Sequence, residues 1–283
     1  MKLKNLIEKY SLGEADQKQL LDYVSNKFIG AKNYSGTDND FLEKWQEIID
    51  CAHMRTAAEA LNKFVCAKRP VDFREADKIR IELYDSFAGK IPVIYIKNPE
   101  DFETFITNAI YKGIRPDNIS DTGASFAFGK KTRFITLSAK PYSNVPANEI
   151  GISDAEWQEK SMIIRREHEC THYFTKCRYG LSENNLHDEI MADFFGLYEA
   201  FGFFSAEYFL KFMGIRSKYG NRLSFYVKEL SWQAAGAAAE IAEISARNLQ
   251  IWSHSKSFLE MTRHERLEHL CMVGLEKMLG GEI

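Results

Sequence analysis

Arg166-Glu167-His168-Glu169-Cys170-Thr171-His172 lies within a proline-free stretch that opens with Ser153-Asp154-Ala155-Glu156. Ser and Glu three apart are the N-cap and N3 residues of a capping box, so a long helix is expected from about 154 to 177. Two histidines four apart on a helix are offset by about 40° and rise about 6 Å, so both imidazoles leave one face and can ligate one ion. Glu169 is turned about 100° from His168, which sets its carboxylate beside such an ion instead of on it. A base acting on metal-activated water needs that position. With seven histidines in 283 residues, chance supplies about 0.016 occurrences of H-E-x-x-H in such a chain.

A metal site needs a third ligand. Downstream stands Asn184-Asn185-Leu186-His187-Asp188-Glu189-Ile190-Met191-Ala192-Asp193. Asn185 reads as the N-cap of a helix over 186–201, on which Glu189 and Asp193 again stand four apart, so that one face offers two carboxylates. His168-Glu169-x-x-His172, a loop, then Glu189-x-x-x-Asp193 resembles the gluzincin group of zinc metallopeptidases. The resemblance covers about 165–196. It implies His168, His172 and Glu189 as zinc ligands, Glu169 as general base, and Asp193 as the carboxylate that orients a ligand imidazole.

The fold expected on this basis is α+β, predominantly helical and zincin-like. A small sheet precedes the metal-binding helix, and a helical C-terminal lobe carries the third ligand. The expected function is a zinc-dependent hydrolase, with one Zn2+ per chain and a peptide or protein substrate. Zinc with three protein ligands lowers the pKa of a bound water to about 7, and Glu169 takes its proton. Two other readings compete: a zinc hydrolase of a non-peptide amide or ester, and a noncatalytic interaction protein with a structural metal. A donor for the developing oxyanion is not assigned among His187, Tyr173, Tyr179, His254, His264 and His269.

Composition narrows the rest. Lys and Arg number 37 against 40 Asp and Glu, a formal net charge of −3, with 45% hydrophobic residues. A disordered chain is excluded, and a nucleic-acid partner, which needs a cationic excess, is not expected. Five irregularly spaced cysteines fit reduced thiols better than a disulfide scaffold. The opening MKLKNLIEKYSLGEADQK has no apolar export segment, and Asp193, Glu199, Glu207 and Lys211 interrupt the apolar run from Ile190 to Phe212. A cytoplasmic protein without membrane spans is expected.

All six prolines fall between positions 70 and 146, which separates helical flanks from a mixed centre. The expected organisation is a helical region 1–88, a mixed α/β lobe 89–180, and a helical lobe 181–283. Helices are expected over 14–29, 40–67, 73–87, 99–112, 205–213, 221–252 and 257–279. A strand is expected over Ile91–Ile96, and a hairpin over Ser125–Ser138 turning at Gly129-Lys130-Lys131. Thr132–Ser138 is either an edge strand that aligns a peptide or an ordinary hairpin strand.

Several residues read more simply as structure than as chemistry. Cys170 is turned about 200° from His168 and reads as a buried thiol. Cys51, Cys66 and Cys177 read as structural, His187 as a loop or capping residue, and His264 and His269 as surface residues. The aromatic set from Phe194 to Phe209 reads as core, Ala234–Ala239 as a close-packing helix face, and Arg165-Arg166-Glu167 as a solvated face.

Overall fold

The computed structural model describes residues 1–31, 40–129, 133–181, 185–219 and 222–283. Its elements run α1 Leu3–Lys9, α2 Glu14–Val24, α3 Asp40–Met54, α4 Ala57–Phe64, β1 Arg80–Ser86, β2 Gly89–Tyr95, α5 Pro99–Ala109, β3 Ala124–Phe128 and β4 Arg133–Leu137. Then follow α6 Asp154–Tyr179, α7 Leu186–Phe201, α8 Ala206–Met213, α9 Arg222–Tyr226, α10 Trp232–Trp252, α11 Lys256–Glu260 and α12 Arg263–Gly280. The fold is α+β and mainly helical. It divides into two compact units, Met1–Tyr34 with Thr175–Ile283, and Ser35–Phe174.

In the unit 35–174 the sheet order is β1-β2-β4-β3, with β2 and β4 parallel and the outer pairs antiparallel. Gly89 at φ +96° closes the β1–β2 hairpin. One sheet face buries Ile94, Ile96 and Phe134 against Trp45, Leu61 and Phe102. The helix expected over 73–87 is not formed: a short 3-10 turn at Ala76–Lys78 leads into β1. Ile79, Ile81 and Leu83 meet this core at every second residue, and that period of two overrides the helical reading. The helix expected over 40–67 is two, because Thr56 caps a new start by accepting from Glu59 N at 3.1 Å.

The strand considered as an edge, Thr132–Ser138, corresponds to β4, which lies between β2 and β3 with all five residues buried; the edges are β1 and β3. Thr132 and the expected turn residues Lys130 and Lys131 lie outside the described residues.

The segment after β4 is fastened to α6. Arg165 donates to the carbonyl oxygens of Lys140 at 2.5 Å and Pro141 at 3.0 Å, and Trp157 Nε1 donates to Val145 O at 2.7 Å. Ser161 Oγ accepts from the Tyr142 backbone at 3.0 Å. Gly123 makes room beside this seam, since a Cβ there would clash with the Arg165 guanidinium. Ser153 Oγ accepts from Glu156 N at 3.3 Å at the start of α6.

Arg165-Arg166-Glu167 is therefore not a solvated face. Arg165 and Glu167 are buried, and Glu167 accepts from Tyr84 Oη at 2.6 Å and Arg166 Nε at 2.8 Å. A buried carboxylate survives only when such donors replace water.

In the other unit, Asn185 caps α7 by accepting from Asp188 N at 3.1 Å, and Gly202 ends it in the left-handed conformation at φ +77°. Phe194 packs against Phe204, Trp252 and Phe258 with ring centres 4.9 to 5.9 Å apart. Gly236 admits the Tyr10 ring to within 2.9 Å of where a Cβ would sit, the close packing expected of the alanine-rich stretch. The helix expected over 221–252 is broken into α9 and α10, with Ser231 capping α10; Asn221 lies outside the described residues. The helix expected over 257–279 is broken into α11 and α12, where Thr262 and Glu265 form a full capping box.

Cys51, Cys66, Cys170 and Cys271 are buried, and among the described residues no disulfide is formed. His269 is not a surface residue: it is half-buried and stacks on Trp252 at 5.4 Å. Among the described residues no helix is long and apolar enough to cross a membrane.

Candidate metal centre

Helix α6 continues without a break from Asp154 to Tyr179 and carries both histidines of the motif on one face. Their Nε2 atoms lie 3.1 Å apart and both side chains are nearly buried, at 8% and 7% exposure. Two nitrogens bound tetrahedrally at about 2.0 Å would stand about 3.3 Å from each other. The pair is thus spaced for one ion.

The second nitrogen of His168 is also engaged. Tyr142 Oη lies 3.3 Å from His168 Nδ1 in a buried contact. If Nδ1–H donates to that oxygen, Nε2 keeps its lone pair facing His172, which is the tautomer a metal ligand requires. Tyr142 precedes a pair of left-handed residues, Ser143 and Asn144, at φ 53° and 57°. Nothing in the local pattern marks it in advance.

On α7 the two carboxylates of one face are both buried. Arg222 joins them: Nη2 lies 3.1 Å from Glu189 Oε2 and Nη1 lies 2.9 Å from Asp193 Oδ2. Tyr226 Oη is 3.4 Å from Arg222 Nη2, and burial pushes the Tyr226 phenol well above its usual range. Asp193, expected beside a ligand imidazole, holds this guanidinium. Arg222 was not foreseen, because 29 residues separate it from Asp193 with no motif between them.

His168, His172 and Glu189 are each buried. Two imidazole nitrogens and one carboxylate oxygen form a donor set suited to zinc. A carboxylate offers about four lone-pair positions, so Arg222 on Glu189 Oε2 is compatible with a cation on the same group. Glu169 is half-buried on α6, next in sequence to His168.

The remaining expected residues are placed elsewhere. Cys170 is fully buried. His187 Nε2 donates to the Leu270 carbonyl at 3.0 Å, and burial pushes its pKa down, so it is a neutral packing residue. Tyr173 packs on Phe126 at 5.8 Å and Tyr179 on Phe28 at 5.1 Å. His254 and His264 are exposed.

The sequence matches a family of unknown function (DUF7005) over residues 63–132 and 129–281. No curated protein and no solved structure matches the chain. Since the matched segments extend over well over half of its length, the chain belongs to the DUF7005 family.

Proposed function

We propose that this protein is a zinc-dependent hydrolase of the metallopeptidase type. The observation that carries the reading is the buried pair His168 and His172 on α6, whose Nε2 atoms lie 3.1 Å apart, with the general-base candidate Glu169 next to His168 in the chain.

His168, His172 and Glu189 would hold the ion. With three protein donors and an open fourth position, a zinc ion held there would supply Lewis-acid activation of a water and of a carbonyl. The chain's own residues do the rest. Tyr142 Oη, 3.3 Å from His168 Nδ1, would accept from that nitrogen and fix the ring. Arg222 holds the carboxylates of Glu189 and Asp193 in one arrangement. Glu169 takes a proton at its carboxylate and returns it to the leaving nitrogen of the cleaved bond.

The test is metal analysis with peptide-library cleavage. Glu169→Ala is expected to keep its zinc and to lose cleavage by about 10²- to 10⁴-fold. Unchanged cleavage removes Glu169 from the reaction. Parallel assays on small amides and esters separate a peptidase from a hydrolase of other carbonyl compounds, because the activated water does not depend on what carries the carbonyl.

One observation favours a noncatalytic reading. Arg222 already pairs with both Glu189 and Asp193, and a buried ion-pair cluster of this kind can be purely structural. That reading predicts no hydrolysis of any substrate and no loss of function on chelation.

A further inference from the structure

The unit 35–174 also contains a cavity of about 470 Å3 lined by Lys78, Arg80, Tyr95, Lys97 and Arg166, with Glu159 as the acid among its lining residues. The local fold orders these cations. Arg80 opens β1 opposite Tyr95 on β2, and its guanidinium lies 4.1 Å from the Tyr95 ring centre. Arg166 lies 4.1 Å over the Tyr84 ring while its Nε donates to the fully buried Glu167 at 2.8 Å. Burial works against the Arg166 charge, but bonds with Tyr95 and Glu167 outweigh it and keep the guanidinium protonated.

This arrangement costs little to open toward a ligand. In the competing pairs Lys78–Glu75 at 2.8 Å and Arg80–Glu82 at 3.7 Å the cations are exposed and the carboxylates half-buried, and pairs at the surface are weak. Lys97 is exposed and makes no ion pair among the described residues. A guanidinium ordered by a ring and a carboxylate presents paired N–H donors that match the oxygens of a carboxylate or phosphate.

We propose that this cavity binds an oxyanion group, with Arg80, Lys97 and Arg166 as its donors. Arg166 precedes Glu169 by three residues on α6, which is about 4.5 Å along the axis and about 60° around it. Resting on the hydrolase reading above, the oxyanion belongs to the substrate: an acidic side chain, a free C-terminus or a phosphorylated residue near the bond presented to Glu169.

The test follows the arginine Nε resonances of the full chain by NMR while inorganic phosphate, and separately acetate, is added at constant ionic strength. A saturable shift at Arg166 is expected, with affinity at least tenfold weaker in Arg80→Gln and Lys97→Gln. Both changes are at exposed positions, so the fold is retained, whereas Arg166 is spared because its loss strands Glu167. Tighter binding of phosphate than of acetate assigns a phosphate group, and the reverse assigns a carboxylate. A shift that does not saturate, or equal affinity in the variants, overturns the proposal. The titration needs no zinc, so its failure leaves the metal reading intact, and absent zinc binding leaves the cavity assignment intact.

Discussion

Tyr142 and His168 are 26 residues apart, yet their side chains meet in a buried contact at 3.3 Å. If the phenol oxygen accepts from Nδ1–H, it fixes which ring nitrogen carries the proton, as a carboxylate often does in metal sites. Tyr142→Phe is therefore expected to weaken zinc binding by about 10- to 100-fold in a chelator competition. Unchanged affinity would show that the hydroxyl does not set the tautomer. Glu167 makes a different kind of claim, since it is fully buried between Tyr84 and Arg166. Glu167→Gln should destabilise the fold by about 3 kcal/mol in urea unfolding; a loss under about 0.5 kcal/mol would mean the network is not holding α6 to the sheet. The histidine pair was legible because helical spacing alone puts both rings on one face. Tyr142 and the buried role of Arg165 and Glu167 were not, because a loop has no period and a buried charge network is written in the same letters as a solvated one.

At the scale of elements, capping chemistry decided where the long helical patterns stop. Thr262-Arg263-His264-Glu265 matches the capping box that opens α12, and applying that signal divides the apolar pattern of 257–279 at its observed break. Thr262→Ala should cost about 1 kcal/mol, read from the thermal or urea midpoint. The segment 73–87 misled for another reason: its apolar residues fit a helix loosely, and pairing Ile81 with Ile94 across the hairpin settles it as a strand.

The turn after β4 is held by Lys140, whose Nζ lies 2.8 Å from Glu103 on α5, while Arg115 lies 2.5 Å from the same carboxylate. Burial alone would raise the Glu103 pKa, but bonds from Lys140 and Arg115 outweigh it and hold the carboxyl below its usual 4.5. A group with a lowered folded pKa stabilises fully above its unfolded value and stops doing so as pH falls through the folded one. Glu103→Gln should thus be about 1 to 2 kcal/mol less stable than the parent at pH 7, with the gap closing below about pH 4. A gap that stays constant with pH would assign the loss to packing instead of charge.

For the whole molecule, the near-balanced charge of −3 means that no global field draws a ligand in. Under the proposed function, recognition falls to local groups: the imidazoles of α6, the carboxylates of α7, and the basic cavity beside Tyr95. The α+β, mainly helical class was legible because proline is confined to the centre of the chain. The two-unit division takes residues 1–34 together with residues from 175 onward, and a linear reading of composition has no means to pair segments so far apart. The most direct measurement is the zinc stoichiometry and affinity of the full chain beside His168→Ala and Glu189→Ala. The proposed function predicts about one zinc per parent chain and at least a 100-fold loss of affinity in each variant. No saturable zinc binding by the parent, or parental affinity in Glu189→Ala, would contradict it.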